Sequence, residues 1–214
     1  MKMYIYNHCP YCIKTRLVAD LSNLKYETVI LANDDEKAHV DKIGSKQVPF
    51  IEKGDGEFLK ESNDICEYIS RLQNFNIATS QNNIELKNLI SELQNISKKI
   101  TYSRVPNHPN NKKDFPTQSA KDYFINKKSS YIGDMDELYK NPPKEIVLKT
   151  QTLLNKIDTY INYPFINGDK FSWDDINIFP FLSLITIMKD LVKIPVNVEK
   201  YLKGIEEKTN IKLY

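Results

Sequence analysis

Two thiols separated by two residues, Cys9 and Cys12 in the stretch Cys9-Pro10-Tyr11-Cys12, carry the plainest chemistry in the chain. A Cys-x-x-C set between a strand and a helix is a redox arrangement, and the flanking residues supply that setting. Met3-Tyr4-Ile5-Tyr6 is rich in aromatic and β-branched residues, as strands are, while Ile13, Leu17, Leu21 and Leu24 recur at helical spacing behind the pair. Cys9 therefore falls at a helix start with Pro10 in the first turn, where a missing backbone N–H costs nothing. Unpaired N–H groups and the positive dipole end face the sulfur there, which favours the thiolate, the nucleophile of disulfide exchange. Cys9 is the attacking sulfur. Cys12, one helical turn on and less exposed, is placed to resolve a mixed disulfide on Cys9.

Other uses of the pair fit less well. A four-ligand zinc site needs two more ligands, and Cys66, His8, His39 and His108 form no second paired motif. Two buried packing cysteines are disfavoured by the Pro-Tyr between them and the polar Asn7-His8 before them. His8 has two readings, an electrostatic partner for Cys9 or a partly exposed polar residue.

The bulk properties set limits on partners and compartment. A chain of 214 residues with 41% hydrophobic and 27% charged side chains suits one large globular domain or two small ones. With 30 Lys and Arg against 28 Asp and Glu, the formal charge of +2 predicts no nucleic-acid partner and no acidic membrane surface. Three cysteines, two of them in one redox motif, make no disulfide framework, which points to a reducing compartment and a cytoplasmic address. The N-terminus has no apolar core of a signal peptide, and the apolar run 178–188 is short and interrupted by Pro180, Ser183 and Thr186, so neither export nor membrane insertion is expected.

The elements that must position the thiols follow in order. Tyr26 to Ile30 reads as a second strand, and Asn33-Asp34-Asp35 opens a short helix through Val40 and Ile43 that stops at Gly44. Strand, helix, strand calls for a right-handed crossover and a parallel pair. Val48-Pro49-Phe50-Ile51 and Glu57-Phe58-Leu59 flank Lys53-Gly54-Asp55-Gly56 and read as a hairpin. Pro49 belongs at a strand start, edge or bend, and its preceding bond admits either isomer. Ser62 reads as the N-cap of an amphipathic helix carrying Ile65, Tyr68, Ile69 and Leu72, on which Cys66 is a packing residue.

This order, with Cys-Pro-Tyr-Cys after the first strand and Val-Pro opening the third, resembles the thioredoxin fold in its glutaredoxin form over residues 1–72. The resemblance implies that glutathione is the co-substrate, with no permanently bound cofactor. It implies a glutathione site built from Tyr11, Val48, Pro49, Glu61 and Ser62. Val48 would pair its backbone with the cysteinyl part, and Glu61 and Ser62 would hold the γ-glutamyl end. The chemistry of that end agrees: a carboxylate takes an ammonium, and a Ser with helix-start N–H groups takes a carboxylate. On the residues alone, Ser62 is equally a cap and Glu61 a solvated charge.

Residues 73–83 turn to Asn, Gln, Ser and Thr and read as a linker. Residues 84–214 then read as all-helical. Leu86, Leu89, Ile90, Leu93, Ile96 and Ile100 share one helix face; Tyr123, Phe124, Tyr131, Met135 and Leu138 suggest a second helix, and Ile146 to Ile161 a third. Val105 to Pro116 reads as a loop, with His108 as polar surface. Ser172-Trp173-Asp174-Asp175, bracketed by Phe171 and Ile176, is a capping box with a hydrophobic staple, opening a helix from Ile176 to Met188 that is apolar nearly all round and hence central. A similar start occurs in the helical domain of the glutathione S-transferase fold, so the whole chain resembles the glutaredoxin 2 type: an α/β thioredoxin-like N-terminal domain plus an all-α C-terminal domain in a glutathione S-transferase-like arrangement.

The expected activity is glutathione-dependent thiol–disulfide exchange on glutathionylated or disulfide-containing proteins, by a monomer. Two alternatives use the same Cys9. One is a glutathione S-transferase or dehydroascorbate reductase with a pocket in the helical half. The other is an iron–sulfur carrier ligated by Cys9 and glutathione from two chains.

Overall fold

The computed structural model describes residues 1–214. Two compact units divide the chain: residues 1–76, 106–127 and 209–211 form the first, and 77–105, 128–208 and 212–214 the second.

The first unit begins β1 (Lys2–Ile5), α1 (Pro10–Leu21), β2 (Glu27–Ile30), α2 (Lys37–Ile43), β3 (Phe50–Glu52), β4 (Phe58–Lys60) and α3 (Ser62–Leu72). Its sheet runs β2-β1-β3-β4. β1 and β2 are parallel, with Tyr4 opposite Val29, so a crossover is required and α1 supplies it. β3 runs antiparallel to β1, with Tyr4 opposite Phe50, and β4 antiparallel to β3. This is the thioredoxin-like arrangement expected of the strand and helix order.

Alternation along β1 sends its side chains to two different cores. Met3 faces α1, where it accepts a contact from the Thr15 hydroxyl at 3.4 Å, and α1 packs on α3. Tyr4 and Tyr6 join Leu31 and Phe50 on the other face, against Val29, Ala38, Ile43, Val48 and Cys9. The Tyr4 and Phe50 rings stack at 4.4 Å. Gly44 ends α2 in the left-handed region at φ 73°, a conformation that costs other residues about 1–2 kcal/mol.

Residues 106–127 also belong to this first unit. The expected loop is built of two 3₁₀ turns, Val105–Asn107 and Pro109–Asn111, followed by α5 (Gln118–Ile132). His108 is not idle surface: its ring accepts the Asn110 N–H at 3.2 Å and caps the second turn. The Asn33 N–H donates to the Asp114 carbonyl at 2.8 Å, and Asn7 Nδ2 to the Asn110 carbonyl at 3.2 Å.

The second unit is helical: α4 (Ile84–Arg104), the end of α5, α6 (Met135–Lys140), α7 (Lys144–Asp158), α8 (Trp173–Ile185) and α9 (Val196–Glu206). The single helix expected through Tyr123 and Leu138 is two. Gly133 takes φ 96°, which breaks the helix, and the Asp134 carboxylate then caps the Asp136 and Glu137 N–H groups at 2.9 and 3.1 Å to start another. At the start of α8, the Ser172 N–H donates to Asp175 Oδ2 at 2.9 Å in the expected capping box, with Phe171 and Ile176 both buried. Asp175 also accepts the Ile166 N–H at 2.9 Å and the Tyr201 hydroxyl at 3.1 Å, so this buried carboxylate ties α8 to α9. No helix is long and apolar enough to cross a membrane.

Candidate active site

β1 ends at Ile5, and the chain turns so that the Cys9 N–H reaches the Tyr6 carbonyl at 3.4 Å. Cys9 is the N-cap of α1, with extended backbone at φ −82° and ψ 118°, and Pro10 fills the first turn. The Cys9 carbonyl receives the first helical bond from Ile13 at 3.0 Å. Cys9 is partly exposed and Cys12 is fully buried. The Cys12 thiol donates toward Cys9, and together with the Cys12 and Tyr11 backbone N–H groups it outweighs burial and holds the Cys9 thiol below its ordinary value. Cys12 moves the other way, well above its ordinary value, chiefly through burial and then through Cys9 itself. The two thiols are unequal in acidity and in access.

The Val48–Pro49 bond is cis, and the Val48 carbonyl oxygen lies 4.0 Å from Cys9 Sγ. Gln47, the preceding residue, donates its side-chain amide to Glu61 Oε1 at 3.1 Å. The thiol, the Val-Pro corner and Glu61 are thereby gathered along one path. Tyr11 stands half-exposed on the first turn of α1, with Lys14 Nζ 5.6 Å from its ring centre.

Ser62 is not the cap of α3. Glu61 holds that position: its carbonyl takes the Ile65 N–H at 3.0 Å, and Ser62 is the first helical residue. The physical reason is a backbone turn at Glu61, φ 70° and ψ 117°, which ends β4 at Lys60 and starts the helix one residue early. A glutamate with positive φ costs about 1–3 kcal/mol, and such strain concentrates at functional positions. It leaves the Ser62 hydroxyl and the first N–H groups of α3 at an open helix start.

His8 is neither exposed nor merely polar. Its ring stacks on Tyr6 at 5.4 Å and Phe115 at 5.2 Å, and its Nδ1 lies 2.7 Å from Asp114 Oδ2. His39 is fully buried as well, 3.0 Å from the Tyr6 hydroxyl through Nε2 and 2.7 Å from the Asp35 carbonyl through Nδ1. Asp114 was not marked by any spacing; it follows a Pro- and Asn-rich stretch whose composition says only loop. Cys66 lies buried on α3 with its thiol pushed up to about 12 by desolvation, in keeping with a packing residue. No group of three or more His, Cys, Asp or Glu side chains is gathered as a metal site.

A thioredoxin-like sheet bearing unequal thiols at a helix start, next to a cis Val-Pro corner and followed by a helical unit, defines a two-unit thiol–disulfide oxidoreductase. Residues 85–214 match the family model described as glutaredoxin 2, C terminal domain, and residues 3–76 match that of the glutathione S-transferase N-terminal domain. The chain belongs to the glutaredoxin 2 family. It is 29% identical to glutaredoxin 2 of Escherichia coli K12 over 213 residues, covering 100% of this chain and 97% of that one. The crystal structure of glutaredoxin 2 from Salmonella typhimurium in complex with glutathione superposes with TM-score 0.91 at 31% identity, covering 99% of this chain and 95% of that one. A glutathione S-transferase of Ceriporiopsis subvermispora, 14% identical with TM-score 0.75 over 97% of this chain and 96% of that one, shares the fold.

Proposed function

We infer that this chain is a glutathione-dependent thiol–disulfide oxidoreductase in which Cys9 is the nucleophile and Cys12 the resolving thiol. The observation that carries the assignment of roles is placement: Cys9 is partly exposed at the N-cap of α1, whereas Cys12 is fully buried one turn on, and the thiols shift accordingly, Cys9 lowered and Cys12 raised. The Cys9 thiolate attacks one sulfur of a substrate disulfide, forming a mixed disulfide and expelling the other sulfur as a thiolate, which takes a proton from solvent. Where the adduct on Cys9 is glutathione, a second glutathione thiolate displaces it, yielding oxidised glutathione and regenerating Cys9. Where the adduct is a protein, Cys12 displaces it, after losing its proton as the mixed disulfide removes the charge on Cys9, and two glutathiones then reduce the Cys9–Cys12 disulfide. The Cys9–Cys12 route takes two electrons from two free glutathiones, whereas reduction of a glutathionylated substrate consumes one, whose sulfur leaves paired with the glutathionyl group taken from that substrate.

The glutathione complex of the Salmonella relative supports glutathione as the reductant here. Its γ-glutamyl ammonium fits the Glu61 carboxylate, which is exposed and accepts the Gln47 amide, and its α-carboxylate fits Ser62 and the N–H groups at the start of α3. The cysteinyl backbone fits the Val48 main chain beside Cys9, with Tyr11 and Pro49 as flanking walls. Glutathionylated and disulfide-containing proteins are the substrates.

Reduction of hydroxyethyl disulfide by glutathione, measured beside conjugation of an aromatic halide, tests the reading. Disulfide reduction that vanishes in Cys9→Ser is expected. Conjugation as the dominant activity, with little disulfide reduction, would establish a transferase instead.

A further inference from the structure

The turn ahead of Cys9 is held by one buried carboxylate from a distant part of the chain. Asp114 has no solvent exposure, and it accepts the Asn7 N–H at 2.9 Å, the His8 N–H at 3.1 Å and the contact from His8 Nδ1 at 2.7 Å. All three partners lie on the two residues that precede the nucleophile. The His8 ring is clamped between Tyr6 and Phe115, with Phe124 edge-on at 5.3 Å. The Asp114 backbone is fixed in turn, its N–H on the Asn111 carbonyl at 2.9 Å and its carbonyl on the Asn33 N–H at 2.8 Å. Disulfide exchange itself uses none of these groups.

The charge of Asp114 opposes a thiolate on either Cys9 or Cys12. Its place beside them is therefore not explained by activation of the sulfur, and geometry is what the three bonds supply. Attack on a disulfide requires the incoming sulfur to lie in line with the bond that breaks, so the direction of Cys9 Sγ matters as much as its ionisation.

We propose that Asp114 and His8 are positioning residues for the exchange reaction, the carboxylate fixing the Asn7–His8 turn and thereby the line along which Cys9 Sγ meets a disulfide. Segment 106–127 is on this account a working part of the active site. The inference rests on the reading of Cys9 as the exchange nucleophile. The titratable groups around the sulfur are Cys12, Tyr6, His8 and Asp114, with Tyr123 and His39 facing Tyr6.

The test compares wild type with Asp114→Asn, Asp114→Ala and His8→Phe in two assays: glutathione-dependent reduction of hydroxyethyl disulfide, and the pH profile of Cys9 alkylation by iodoacetamide, a small reagent that tolerates many directions of attack. Misplacement by about 1 Å costs on the order of 100-fold in rate, so Asp114→Ala should lose about that much kcat/KM, while alkylation of the fully ionised thiolate changes less than about threefold. Asp114→Asn keeps one acceptor oxygen and should recover part of the loss, to about tenfold below wild type, with its alkylation midpoint moved to lower pH because the opposing charge is gone. His8→Phe keeps the stacking and both backbone bonds and should fall between wild type and Asp114→Ala. If Asp114→Ala does not fold, the other two variants carry the comparison. Exchange rates within twofold of wild type in Asp114→Asn and His8→Phe, or exchange and alkylation falling in parallel, would overturn the proposal. A wild-type protein without exchange activity would instead overturn the functional reading beneath it.

Discussion

Cys12→Ala isolates the contribution of one sulfur to the reactivity of the other. In the structure the Cys12 thiol is the largest influence lowering Cys9, ahead of the Cys12 and Tyr11 backbone N–H groups, and the substitution removes only that thiol. A hydrogen bond to an ionised acceptor contributes about 1.5–3 kcal/mol, and a thiol is a weak donor, so the lower end applies. About 1.4 kcal/mol is tenfold in the ratio of thiolate to thiol. Alkylation of Cys9 should therefore slow about tenfold in the pH range where both proteins are mostly thiol, and converge at high pH where both are thiolate. Cys12→Ser keeps a hydroxyl donor and should slow less than Cys12→Ala. The assay is pseudo-first-order alkylation read by mass spectrometry, with buried Cys66, its thiol pushed up to about 12, as the unlabelled internal control. Superimposable pH profiles for wild type and Cys12→Ala would refute the reasoning and leave the helix start as the sole source of activation.

Glu61→Gln removes the charge that faces the ligand ammonium and should weaken glutathione binding by about 1.5–3 kcal/mol with little effect on folding; equal affinity by calorimetry would remove Glu61 from the site. Asp175→Ala leaves the Ile166 and Ser172 N–H groups and the Ser172 and Tyr201 hydroxyls without their acceptor, and should cost about 4 kcal/mol of stability in denaturant titration, roughly 1 per orphaned donor. Burial raises the Asp175 carboxyl, so the folded chain binds that proton more tightly than the unfolded one. Wild type should therefore gain stability relative to Asp175→Asn as pH falls toward the ordinary carboxylate range, and a constant difference between them would contradict this.

The thiol pair, the strand and helix order and the capping box were legible because each rests on local chemistry. Period, turn residues and caps act within a few residues, and Gly44, Ser172 and Asp175 perform in the structure as their neighbours imply. Glu61 shows where local rules end: a Ser before an apolar helix face reads as a cap, yet positive φ at the preceding residue moves the helix start, and no rule of spacing anticipates strain on a glutamate. Asp114 and His8 lie 106 positions apart, and their pairing is a tertiary fact carried by a segment that composition marks only as loop. The break between α5 and α6 is an intermediate case, since Gly133 followed by Asp134 is a stop and start signal that the apolar spacing of Tyr123 to Leu138 overrides when read alone.

The central claim is that the two sulfurs do different work, and adduct formation with oxidised glutathione separates them most directly. At neutral pH, mass spectrometry of Cys12→Ser should show a stable glutathione adduct on Cys9, because the nucleophile is intact and nothing within the protein resolves it. Cys9→Ser should show no adduct on Cys12, which is buried and protonated. Adducts of equal extent on both single variants would contradict the account.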